Sequence, residues 1–172
     1  MFGWGTSKYV DEVATGTSNL ISLLDTVGVG QPAHFWREPY VLGYLFGTAS
    51  MLLGIASKGK IRGEKAGDLI NQIFQRIGGV KGDQIVQEIM SNLRSRDTAF
   101  TMATERGSEI VAFLYGMPHG NNSSIDFEDA LDLGRDQARG LEGRSDDATV
   151  RKYAYEAVVR EYWIDAVKSR LL

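Results

Sequence analysis

Asp129, Asp132 and Asp136 stand at i, i+3 and i+7 within IDFEDALDLGRDQAR (125–139), so a helix there carries three carboxylates on one face. Oxygen ligands so arranged suit magnesium, which could in turn hold a diphosphate. A site of that kind needs a second acidic helix opposite the first, and the chain offers only the single pair Glu105 and Glu109. The competing reading is a solvated helix face, with Arg135 beside Asp132 and carboxylates favourably placed near a helix start. The solvated face is preferred, which leaves an enzyme acting on a phosphorylated substrate with Mg as a weaker alternative and no cofactor expected.

Other chemistry finds less support. His34 and His119 are the two histidines, both in loops, and no His-x-x-x-His or Glu-x-x-His pair occurs, so metal ligation lacks its usual close pair. Cysteine is absent, which removes thiolate nucleophiles, disulfides and cysteine-bound zinc together. Gly16-Thr17-Ser18-Asn19 is no nucleophile elbow. Gly28-Val29-Gly30 lacks the third glycine of a phosphate cradle, and Gly78-Gly79-Val80-Lys81-Gly82 reads as a helix stop and turn. No catalytic residue is nominated, and an enzyme is less expected than a non-enzyme.

The elements that would position any site are organised around YVLGYLFGTASMLLGIAS, residues 40–57, which holds no charge in a chain that is 24% charged. At ~1.5 Å per residue this makes a helix ~27 Å long, too long for a strand. Pro39 opens it and Gly59 is expected to close it in a left-handed cap. A helix apolar all round must be enclosed by other helices or by lipid. Its length and the Gly43/Gly47 spacing, with Lys58, Lys60, Arg62 and Lys65 following, suit a membrane. Its richness in Gly, Ser, Thr and Ala favours a buried helix in a soluble protein, with Gly43, Gly47 and Gly54 letting a neighbouring backbone approach. Membrane association through 40–57 stays as the alternative.

The remaining periodicity is helical throughout. Residues 6–26 show an amphipathic stripe through Val10, Val13, Ala14, Leu20, Ile21 and Leu24, with Thr17 filling its gap. Residues 62–77 carry Leu69, Ile70, Ile73 and Phe74 on one side, and Gly78-Gly79 ends them. Ile85, Val86, Ile89, Met90 and Leu93 form the next stripe, and Phe100, Ala103, Ile110, Val111 and Leu114 another. The polar quartet Arg94 to Asp97 lies between them, which predicts two helices, or one bent helix, with Asp97 as cap of the second. The loop 116–124 is followed by a helix capped at Asp126 and ending near Gly143. Asp146 or Asp147 caps a final helix to Leu172, whose Tyr155, Val159, Tyr162, Trp163 and Ala166 widen the apolar face beyond one stripe.

The expected fold is therefore all-α: one domain over 1–172, six or seven helices around a buried central helix at about 39–58. Net charge of −3, with Lys58 to Lys65 the only dense basic run and readable as cations at a helix end, argues against nucleic acid. The N-terminus lacks the features of a signal peptide, so a cytoplasmic protein is expected. The leading functional expectation is a non-enzymatic interaction or scaffold protein, self-associating as a homodimer, with Phe2, Trp4, Tyr155, Tyr162 and Trp163 at the interface. The alternative is a binder of an apolar small molecule in a helical pocket, with His34, Phe35, Trp36, Tyr40 and Tyr44 at its mouth.

Overall fold

The computed structural model describes residues 4–117, 123–143 and 146–172, and among them every regular element is helical. In chain order these are α1 (Trp4–Thr26), α2 (Pro39–Ala56), α3 (Gly63–Gly78), α4 (Gly82–Ser95), α5 (Thr98–Leu114), α6 (Phe127–Gln137), α7 (Asp147–Val159) and α8 (Ala166–Leu171). A π-helical segment, Ala138–Glu142, prolongs α6, and another, Arg160–Asp165, joins α7 to α8 into one rod. This is the all-α bundle that the periodicity predicts. The chain divides into two compact units, Met1–Ser108 with Leu171–Leu172, and Glu109–Arg170.

The first unit is organised around α2. Glu38 accepts the Tyr40 amide at 3.2 Å and Pro39 takes the first helical position, so the start is capped as its residues imply. At the other end the Gly59 amide reaches Gly54 O (2.8 Å) and the Lys58 amide reaches Ile55 O (2.9 Å), a Schellman closure. Lys58 itself holds the left-handed position (φ 52°), with Gly59 next in the same region (φ 69°), so the cap sits one residue earlier than expected. Between these ends, residues 40–45 and 47–49 are buried on every side.

What encloses them is a close crossing with α5. A Cβ at Gly43 would collide with the Phe100 carbonyl, one at Gly47 with the Thr104 carbonyl, and one at Gly107 with the Tyr44 carbonyl. Glycine on both helices brings the backbones together, and Ser108 Oγ then donates to Gly47 O at 3.1 Å. Each glycine forgoes up to ~1 kcal/mol of helix propensity, which close packing here offsets. Gly54 departs from the expectation. Nothing lies within 4 Å of its Cβ position, because that end of α2 has no helix backbone pressed on it.

α1 lays its predicted stripe inward, with Thr17 buried alongside Val13, Leu20 and Leu24. Asp11 pairs with Arg76 of α3 at 2.9 Å. The polar quartet does separate two helices: α4 ends at Arg96 in the left-handed region (φ 53°), and Asp97 Oδ1 accepts the Phe100 amide at 2.9 Å.

In the second unit Asp126 caps α6 through the Glu128 and Asp129 amides, and Asp146, not Asp147, caps α7 through the Thr149 amide. Gly134 lets α6 close on α7, since a Cβ there would collide with the Val150 carbonyl. Phe113 and Phe127 stack at 4.6 Å. Along the last rod the buried row steps by four, Val159, Trp163, Val167 and Leu171. The wider π turn takes up the phase that an α-helix would lose at each such step, so Trp163 rather than Ile164 points inward.

Candidate functional site

Of the five residues expected at a pocket mouth, three belong to the core. Phe35, in the 3-10 turn Phe35–Arg37, is 0% exposed, as is Tyr40, and Tyr44 is 1% exposed. Phe35 meets the half-buried Trp36 edge-on at 4.8 Å, so this aromatic loop covers the core. His34 alone of the five is exposed. Tyr40 stays inside because its hydroxyl accepts from Arg106 of α5 at 3.4 Å. None of the five lines the groove formed by α2, α3 and α4.

The opening lies at the other end of the same helix. A groove of about 430 Å³ runs between the C-terminal half of α2 and helices α3 and α4. Phe46 and Leu53 of α2, Ile70 of α3 and Ile89 of α4 supply apolar walls, and Met90 and Leu93 stand exposed beside them. Ser50, Asn71, Glu64 and Asp68 add a few polar groups. Gly54 faces this space, which is why no atom crowds its Cβ position.

Local sequence explains how the groove arises. The Schellman closure at 58–59 and the Arg62 Nε bond to Gly59 O (2.8 Å) tighten the turn into α3, which therefore starts close to the end of α2. α3 turns the buried row Leu69, Ile70, Ile73 and Phe74 inward and leaves Glu64 and Asp68, one turn apart, exposed. α4 carries two apolar rows. Ile85 and Ile89 are buried, while Met90 and Leu93 are left over. That surplus was visible in the stripe Ile85, Val86, Ile89, Met90 and Leu93, and is the one sequence signal that could have located the groove.

The acidic face behaves differently. Asp129, Asp132 and Asp136 are all exposed, and Asp132 is paired with Arg135. Among the described residues no group of three or more His, Cys, Asp or Glu is placed to hold a metal ion.

The expected interface residues are split. Tyr155 and Tyr162 are half-buried, whereas Trp163 is fully enclosed and offers nothing to a second chain. Phe2 lies outside the described residues, as does the side chain of Trp4. Burial, together with the neighbouring Tyr115, raises the Tyr155 phenol above its ordinary value. One helix among the described residues, Pro39–Ala56, is long and apolar enough to cross a membrane, and 56% of it is buried within the protein. Compared with protein-family models, with curated proteins and with solved structures, the chain matches none of them.

Proposed function

We propose that this protein is a non-enzymatic helical binding protein whose groove between α2, α3 and α4 takes an apolar small molecule. The groove is the observation that carries the reading. Its volume of about 430 Å³ falls within the ~300–1,000 Å³ typical of ligand sites, and its apolar walls with a few polar groups match their usual lining. Glu64 and Asp68 are the charged groups of the lining, so the preferred ligand is neutral or carries a cationic end. In this reading α2 is the core helix of a soluble, cytoplasmic protein.

The test is titration with a neutral apolar fluorophore such as Nile red, followed by amide chemical shifts. Binding is expected to move the amides of Ser50, Gly54, Asn71 and Met90. Gly54→Phe should fill the groove and abolish the response, because space is open at that position. A folded Gly54→Phe protein that binds the probe unchanged would defeat the proposal.

A second reading, self-association, is favoured by a different surface. Leu114, Tyr115 and Met117 are 38%, 55% and 42% exposed in consecutive turns of chain, next to the half-buried Tyr155. A second copy of this chain is the occupant this apolar patch suits. Sedimentation at micromolar concentration checks it. A dimer that Tyr115→Asp converts to monomer supports the reading, and a single species near 19.0 kDa for the unaltered protein removes it.

A further inference from the structure

We infer that the second unit contains an anion site between α6 and α7, built for the phosphate of a small phosphorylated molecule. A separate pocket of about 330 Å³ is lined by Leu131, Arg135, Arg139, Asp147, Val150 and Arg151. Three arginines lining one pocket stand out in a chain whose net charge is −3. Arg135 and Arg139 lie one turn apart at the end of α6 and the start of its π segment, and Arg151 comes from the facing helix α7.

The three cations are not equivalent. Arg151 is half-buried, its guanidinium 5.7 Å from the centre of the Phe113 ring and 3.5 Å from the Phe113 carbonyl oxygen. Phe113 is in turn fixed by stacking on Phe127, so one wall of the pocket holds a positioned cation. Arg135 is shared with Asp132 on the outer side. Arg139 forms no ion pair among the described residues and is exposed at the rim, able to close over a bound anion. Asp147 is the opposing carboxylate in the lining, and with Arg135 shared with Asp132 the pocket still keeps a net positive charge suited to a phosphomonoester. The first turn of α7 starts at Asp147 and adds the positive end of its dipole.

Guanidinium groups suit this ligand because their planar donors engage two phosphate oxygens at once. Leu131 and Val150 give the pocket an apolar wall as well, so an organic phosphate is favoured over the free ion. No metal is required, in contrast to the aspartate face on the outer side of the same helix.

The experiment is isothermal titration of the full chain with inorganic phosphate, phenyl phosphate and, as a control, sodium chloride at matched ionic strength. Saturable binding of phenyl phosphate, tighter than inorganic phosphate, is expected, with amide shifts at Leu131, Arg139 and Val150. Arg139→Gln, at an exposed position that leaves the fold intact, should weaken it about tenfold, and Asp147→Asn should strengthen it. Equal affinity for the two phosphates would assign the site to the free ion and overturn the preference for an organic ligand. No saturable binding, or binding unchanged in Arg139→Gln, would overturn the site itself. Neither result bears on the groove of the first unit, whose test uses a different probe and different residues.

Discussion

The two halves of α2 share one composition and meet opposite fates. Residues 40–45 and 47–49 are sealed where glycines on both helices bring α5 close, whereas residues 50–56 keep a single fully buried side chain, Leu53, and with Phe46 border a groove. Gly43, Gly47 and Gly54 look alike along the helix, yet a Cβ at either of the first two would strike a carbonyl of α5 and one at the third would meet open space. A small residue is thus a permission and not an instruction. It allows a neighbour to approach, and the path of the neighbour decides whether one does.

The largest expected effect breaks the sealed half. Gly47→Leu places a side chain where the Thr104 carbonyl already stands, and neither backbone can yield without moving a helix. Loss of about 3 kcal/mol or more is expected in urea unfolding, at or above the usual range for overpacking. An unchanged midpoint would mean that α5 does not cross where described.

Gly107→Ala attacks the same crossing from the other side, where its methyl meets the Tyr44 carbonyl. The expected cost is smaller, about 2 kcal/mol, because alanine recovers some helix propensity. Since both positions act on one helix crossing, which either substitution already forces apart, Gly47→Ala combined with Gly107→Ala should cost less than the sum of the two singles. Strict additivity in a double-mutant cycle would show that the two contacts yield independently.

The smallest effect has the opposite sign. Gly54→Ala meets open space and removes backbone freedom from the unfolded chain, so stability should hold or rise by up to ~1 kcal/mol. Thermal unfolding measures it. Destabilisation comparable to that at Gly47 would erase the distinction between the halves.

Much of the local architecture was legible in the sequence for local reasons. Glu38-Pro39, Asp97, Asp126 and Asp146 mark helix starts because a cap is satisfied within a few residues of itself. The stripes of α1 and α3 follow from period alone. Tyr40 is expected at a pocket mouth, and its place in the core involves Arg106, 66 residues away in the chain. Trp163 is expected to widen the apolar face toward an interface, and the π turn Arg160–Asp165, which leaves no comparable mark in composition, holds it in the core instead.

By itself the sequence determined which segments are helical, where most of them begin, and that one uncharged helix must be enclosed, because those outcomes depend on neighbours within about one turn of helix. Only the tertiary structure decided which glycines are crossed, that Met90 and Leu93 are left exposed beside a groove, and that Arg135, Arg139 and Arg151 line one pocket. Each of those depends on the angle and offset at which two helices meet. That geometry is set by side-chain packing summed over the whole contact, and no spacing within one segment encodes it.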